Sequence, residues 1–395
     1  MAWPLRDKTC IVGVGETEYT KWGGIARPEF QLALEAILKA VDDAGLDIKD
    51  VDGLVTYAQE RSEPVAVAQA LGLREVRYAG LYPGGGNAAC GVVHDAAMAL
   101  FSETADIVVC YRSRCQGQFG RSSSGVASGV GKSDTVGGIF QFTAPFGLIA
   151  PASVYAFEAR RHMHEYGTTS RHFGAIAVAS YRHAQQNPRA VMYGRPITLD
   201  DHQASRIIAD PYRLYDCCQE SDGACALVVT RADRARSLKQ RPVYITGAAL
   251  GNGTSDGLDR TRWPDTRWTS AGLVQVAESL YRRAGLGPAD IDVAQFYENF
   301  TGQVLMAIED FGFCKRGEGG PFIEGGRIEW PDGDLPLNTS GGNLAEGFIH
   351  GLSLVVEGAR QMRGQSTAQV ADAETCLVVG GPSAPPHSAL VLRAG

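Results

Sequence analysis

The chain has no apolar run long enough to span a bilayer, no Cys-x-x-Cys pair and no excess of basic charge. The first absence predicts a protein without a membrane-spanning helix. The second argues against structural zinc: Cys217 and Cys218 are adjacent and badly placed to chelate one ion, and nine cysteines is an odd number for a disulfide framework. With 37 Lys and Arg against 44 Asp and Glu, a net charge of −7, the chain lacks the basic face that a nucleic-acid partner requires. Its first residues, MAWPLRDKTCIVGVG, lack the basic-then-apolar layout of a secretory signal. The expectation is a cytoplasmic protein whose thiols are mostly reduced and buried.

Glycine, by contrast, is abundant, and two glycine-rich segments copy one another. GGGNAACGVVHD (84–95) and SGGNLAEGFIHG (340–351) place Gly85, Gly86, Asn87, Ala89, Gly91 and His94 on Gly341, Gly342, Asn343, Ala345, Gly347 and His350. A second pair, residues 29–57 and 269–297, matches at a similar offset. This period is too long for a solenoid and predicts two homologous α/β halves packed face to face, 1–240 and 241–395, each supplying one glycine loop. Short β-branched runs predict buried strands at 9–15, 105–113, 242–250, 293–297 and 375–381. Between the first two, Phe30, Leu34, Ile37, Leu38 and Val41 form one helical stripe that stops at Ala44-Gly45. Over about 115–215 a Gly/Ser-rich stretch precedes a segment dense in His, Arg and Tyr, the mark of a loop subdomain inserted over a site.

The two-fold repeat, the insertion, DCCQESDGACALVVTRADRA (216–235), NTSGG (338–342) and CLVVGGPSAPPHSALVL (376–392) together resemble the thiolase superfamily, in its lipid-transfer-protein branch related to sterol-carrier-type thiolases. VVCYRSRCQGQFGRS (108–122), residues 187–218 and FYENFTG (296–302) are similar to the steroid side-chain aldolases of that branch. The resemblance implies an α/β thiolase fold of two βαβαβαββ halves in five α-β-α-β-α layers. It further implies a homodimer and a small zinc-ribbon/OB-fold partner completing a heterotetramer. CoA enters as part of the substrate, with no bound prosthetic group or metal.

Thiolases use a nucleophilic Cys, an Asn in Asn-Glu-Ala-Phe, a His in Gly-His-Pro and a second Cys before a glycine run. On this chain those positions fall at Gly86, Tyr297, Phe348 and Val378, so acyl-enzyme chemistry is lost. Cys90, four residues past the empty position, points about a turn away and reads as a buried structural thiol. Without a nucleophile, Claisen chemistry becomes aldol chemistry. The expected reaction is retro-aldol cleavage of a steroid-type β-hydroxyacyl-CoA to a ring ketone and a short acyl-CoA such as propionyl-CoA or acetyl-CoA. Tyr297 is the candidate for proton transfer, the alternative being a strand-end tyrosine closing the core. Backbone amides of Gly85, Gly86, Gly341 and Gly342 are candidate donors to the thioester enolate oxygen. Phe348, Glu298 and Asn299 complete the expected substrate site. The aldolase pattern implies a second tyrosine near Phe348; here His350 stands in that neighbourhood and is the candidate replacement, against a purely structural pairing with His94. His162, His164, Glu165 and His172 lack His-Glu-x-x-His spacing and read as a lid or interface. Two rival readings remain: a non-catalytic acyl-CoA or sterol carrier, and an atypical thiolase or acyltransferase using Cys90.

Overall fold

A computed structural model describes residues 3–120, 141, 144–148, 150–251, 268–382 and 385–395. Its strands are β1 (Thr9–Glu16), β2 (Thr20–Lys21), β3 (Gly53–Tyr57), β4 (Tyr78–Tyr82), β5 (Ile107–Cys115), β6 (Ile207–Ala209), β7 (Tyr212–Arg213), β8 (Ser221–Arg231), β9 (Val243–Gly251), β10 (Val293–Phe296), β11 (Thr375–Val379) and β12 (His387–Ala394). The principal helices are α1 (Glu29–Ala44), α2 (Pro64–Leu71), α3 (Ala89–Phe101), α4 (Pro151–Tyr166), α5 (Ser170–Ala184), α6 (Val274–Ala284), α7 (Thr301–Asp310) and α8 (Leu352–Arg363).

The strand order β4-β3-β5-β8-β1 is repeated by β10-β11-β12-β9, and a short β1·β9 contact at Cys10↔Tyr244 and Ile11↔Val243 joins the two. Pairing agrees strand by strand. β3 and β5 are parallel, as are β10 and β11; β8 runs antiparallel to β5 and β1, as β12 does to β11 and β9. The partner of β4 shrinks to one parallel bridge, Ala294↔Leu337. Helix α1 covers the outer face of the first set and α6 that of the second, while α3 and α8 lie between them. Their side chains, Cys90, Val92, Val93, Leu352, Val355 and Val356, share one core with strands from both halves. This is the five-layer arrangement that the thiolase resemblance implies.

Two sequence readings need correction. Helix α1 ends at Gly45 as expected, in a left-handed cap with φ 72°, but its buried face is Leu32, Ala33, Ala36, Ile37, Ala40, Val41 and Ala44, and Leu38 is 45% exposed. The cause lies in β1: a Cβ at Gly13 would stand 2.1 Å from the Ala40 carbonyl oxygen, and one at Gly15 2.3 Å from that of Ala36. Opposite these glycines helix and strand approach so closely that alanines, Ala36, Ala40 and Ala44, must stand there. The glycine segments, in turn, are copies in sequence without being equivalent in place. His94 sits inside α3 and stacks on Trp3, with ring centroids 6.3 Å apart. His350 precedes α8 in a loop, at φ 51°. The pairing of the two histidines is therefore not a structural symmetry.

Of the expected loop subdomain, α4, α5 and the 187–195 segment are described, and the latter docks on the second glycine loop through Val191 N–H to Glu346 O (2.9 Å) and Met192 N–H to Ala345 O (3.0 Å). Most of the Gly/Ser-rich stretch, residues 121–140, lies outside the described residues.

Candidate active site

The carboxyl ends of β3 and β10 meet the amino ends of α3 and α8. Strand β10 is apolar and buried, and Asn338 clasps its last residue, accepting the Phe296 N–H (2.7 Å) and donating to the Phe296 carbonyl (2.9 Å). The chain then turns so that Tyr297 N–H donates to Val379 O (3.1 Å) and the Tyr297 ring passes between two glycines. A Cβ at Gly86 would lie 2.0 Å from its Cζ and 2.1 Å from its Oη; one at Gly351 would lie 2.5 Å from its Cδ2. Real Cβ atoms cannot approach so closely, so glycine at both places is a steric requirement. The phenol thus fills the space beside Gly86, where the thiolase pattern puts its nucleophile. Phe348 meets it edge-on at 6.0 Å. Burial holds the phenol pKa well above 10, with Arg114 opposing, so Tyr297 is a neutral phenol at neutral pH.

His350 faces the neighbouring glycine, since a Cβ at Gly85 would lie 3.4 Å from its Cε1. Its Nδ1 is 3.0 Å from Nη2 of Arg112, its carbonyl accepts the Tyr57 hydroxyl (3.1 Å), and Phe348 stacks edge-on at 5.2 Å. Burial, then the cations Arg114, Arg112 and Arg61, push its pKa well below 6.5. It is a neutral imidazole and not a proton acceptor poised near neutrality. Consecutive glycines therefore bring Tyr297 and His350 into one site.

The remaining expected residues divide. Gly85 N–H donates to Asn87 Oδ1 (2.9 Å), Gly341 N–H to Asn338 O (2.9 Å) and Gly342 N–H toward Ser340 Oγ (3.4 Å). These three amides donate within their own loops, and the loops carry a steric requirement besides. A Cβ on Gly341 would meet Ala184 at 2.8 Å, and one on Gly342 would meet Glu298 Oε1 at 1.9 Å. Asn299 is half-buried and folds the turn: its Oδ1 accepts the Phe300 N–H (3.0 Å) and its carbonyl the Cys218 N–H (3.1 Å). Glu298 is fully buried, accepts the Asn343 N–H (3.0 Å) and is pushed up to about 8 by desolvation.

That shift carries a sign for stability. Between its ordinary value of 4.5 and about 8 the folded chain holds a proton the unfolded chain has released, so stability falls as pH rises through this window. Glu298→Gln is expected to flatten the decline in thermal midpoint from pH 5 to pH 8. Glu346, also pushed up to about 8 by burial, supplies a further part of the slope. Parallel pH–melting curves for wild type and variant would contradict this.

Nucleophilic sulfur is not available. All nine cysteines are free, and burial raises every one of their pKa values. Cys90 is fully buried and its Sγ donates to Val378 O at 3.4 Å. Cys90→Ala is expected to retain most activity, and trapping a labelled acyl group on Cys90 during turnover would overturn this. Of the histidines singled out in the sequence, His162 is held by Glu309 (3.1 Å) and Thr168 (2.9 Å), and His172 by Glu324 (3.2 Å). Among the described residues, no His, Cys, Asp and Glu group has metal-holding geometry.

Sequence reasoning passed over Arg112, Arg114, Glu60 and Tyr57, all buried around His350 and Phe348. A signal was present: two arginines at i and i+2 in the otherwise apolar run IVVCYRSRC lie on one strand face, and buried charge requires a partner.

Comparison with known proteins establishes the family. A family model described as thiolase C-terminal domain-like matches residues 256–393. The chain is 45% identical over 391 residues to the 17-hydroxy-3-oxo-4-pregnene-20-carboxyl-CoA lyase of Mycobacterium tuberculosis, covering 98% of this chain and 100% of that protein. It is 44% identical over 393 residues to the steroid side-chain-cleaving aldolase of Thermomonospora curvata, covering 99% of each. Among solved structures, the Ltp2-ChsH2(DUF35) aldolase superposes with a TM-score of 0.90 at 42% identity, over 99% of this chain and 98% of that one. The chain belongs to the thiolase superfamily and, within it, to the family of these steroid side-chain-cleaving aldolases.

Proposed function

We propose that this chain is a carbon–carbon lyase that splits a steroid-type β-hydroxyacyl-CoA into a ring ketone and a short acyl-CoA by a retro-aldol reaction without an acyl-enzyme. The observation that carries the reading is the Tyr297 phenol lying against Gly86, in place of a nucleophile, inside a fold shared with lyases of this reaction type. Because burial keeps Tyr297 protonated, the phenol acts as a relay. Its oxygen accepts the β-hydroxyl proton while its own proton passes to the α-carbon. The hydroxyl oxygen and the α-carbon are joined through one atom, so a single phenol spans both in a six-membered array. As the Cα–Cβ bond breaks, its electron pair enters the thioester as an enolate, the β-carbon becomes the ketone, and the arriving proton converts the enolate to acyl-CoA. A neutral His350 N–H stabilises the enolate oxygen, a donor that is worth several kcal/mol in a dry, preorganised site. CoA enters with the substrate, and no step calls for a prosthetic group.

The assembly we propose is a homodimer joined to a small OB-fold partner as a heterotetramer. Strand β4 is a sheet edge with Leu81 57% exposed, an open ladder for a second copy, and the solved relative, the Ltp2-ChsH2(DUF35) aldolase, carries a DUF35 component. Nine free thiols suit the reducing cytoplasm. The repeated strand order supports a division near residues 240 and 241.

The test is incubation with a 17-hydroxy steroid bearing a three-carbon CoA thioester side chain, followed by product mass analysis. A 17-ketone with propionyl-CoA is expected. Tight binding without turnover would make the protein a carrier, and consumption of free CoA a thiolase. The chain alone is expected to be poorly soluble or nearly inactive and to recover when produced with its partner; full activity of the isolated chain would refute that dependence.

A further inference from the structure

We propose that Arg112 is a positioning residue that, held by Glu60, locks His350 as the tautomer protonated on Nε2 and so fixes which nitrogen can donate to the developing enolate oxygen. The inference rests on the proposed role of His350 and names how that role is secured.

A guanidinium carries only donors, so the 3.0 Å contact between Arg112 Nη2 and His350 Nδ1 makes Nδ1 an acceptor. A neutral imidazole that accepts at Nδ1 has its proton on Nε2. Arg112 cannot turn away. Its Nη1 donates to Glu60 Oε2 at 3.0 Å, with the side chains 1% and 0% exposed, and its guanidinium lies 4.9 Å from the Tyr57 ring centroid. Glu60 is fixed in turn by four donors: the N–H groups of Arg61 (3.0 Å), Ser62 (3.0 Å) and Ser113 (2.8 Å) and the Ser113 hydroxyl (2.6 Å). The backbone end of His350 is held separately by Tyr57, at a strained φ of 51°. The chain Glu60–Arg112–His350 therefore restrains the imaginable ring flip from one side and the backbone restrains it from the other. The charged groups facing His350 are Arg112 and Arg114 from β5 and Arg61 from the loop after β3, and all three oppose its protonation. Burying a cation beside a histidine costs stability unless the cation is paired, and Glu60 supplies that pairing.

The test uses the assembled protein with its small partner. Nitrogen-15 NMR of labelled histidine, with the His350 signals assigned by difference against His350→Gln, is expected to show a neutral Nε2–H tautomer that does not titrate across the mildly acidic range. The paired variant Arg112→Met/Glu60→Gln removes both charges together and so avoids leaving one buried alone. In it His350 is expected to populate both tautomers while staying neutral, because burial, Arg114 and Arg61 still oppose its protonation. Its kcat is expected to fall about ten- to a hundredfold with little change in KM. A wild-type Nδ1–H tautomer, or a folded variant with a single Nε2–H tautomer and unchanged kcat, would overturn the proposal. The tautomer is read without substrate, so failure of the lyase reading itself, seen as no product from any steroid acyl-CoA, is a separate result.

Discussion

Tyr297→Phe is expected to lower kcat by about two to four orders of magnitude with little change in substrate affinity, because it deletes the oxygen through which both protons pass. The ring would still fill the space between Gly86 and Gly351, so the thermal midpoint should barely move. If His350 serves the same transition state, His350→Ala should cause a comparable loss, and the double variant should be little worse than either single one, since groups acting together are not additive. Steady-state kinetics on the three variants decide this. Normal turnover by His350→Ala would leave the histidine a structural residue. A double variant equal to the product of the single losses would show that the two act independently.

Gly86→Ala is expected to be nearly as damaging, although it adds a single methyl group. That methyl would stand 2.0–2.3 Å from the Tyr297 Cζ, Oη and Cε2, so the ring must leave its place. A displacement of about 1 Å at a reacting group can cost roughly a hundredfold in rate, and complete expulsion approaches the Tyr297→Phe loss. Gly86→Cys should fail in the same way: restoring the thiolase residue type would not restore thiolysis, because the sulfur and the phenol compete for one space. A Gly86→Ala enzyme with wild-type kcat, measured on folded protein, would contradict the packing described here. An active thiolase from Gly86→Cys would contradict the mechanism.

These two sites also mark how far the sequence was legible. The missing nucleophile at Gly86 and the tyrosine at 297 could be read from motif positions, and the five strands expected from β-branched runs were found to within a residue or two, because such runs are local signals, whereas others such as β3, β4, β8 and β12 were not read. What lay beyond reach was contact between distant segments. Nothing local says that Gly86 is small in order to admit a ring from residue 297, or that Gly13 and Gly15 draw α1 onto its alanine face. The likeness of segments 84–95 and 340–351 misled at His94 and His350, since equal letters were set on a helix in one half and on a left-handed loop in the other. That the amides of Gly85, Gly341 and Gly342 donate within their own loops was equally out of reach, since an amide's partner depends on the turn it closes. Arg112 and Arg114 were visible as charges in an apolar strand, but their meaning came from Glu60, more than fifty residues away, and His350.

The central claim is cleavage by a neutral phenol relay with no covalent intermediate, and turnover in deuterium oxide tests it most directly, with the products and the intact protein weighed from the same reaction. The account predicts a ring ketone, a short acyl-CoA carrying one deuterium at its α-carbon, and a protein mass that stays unmodified throughout. An acyl adduct on the protein, or cleavage that consumes free CoA, would contradict it.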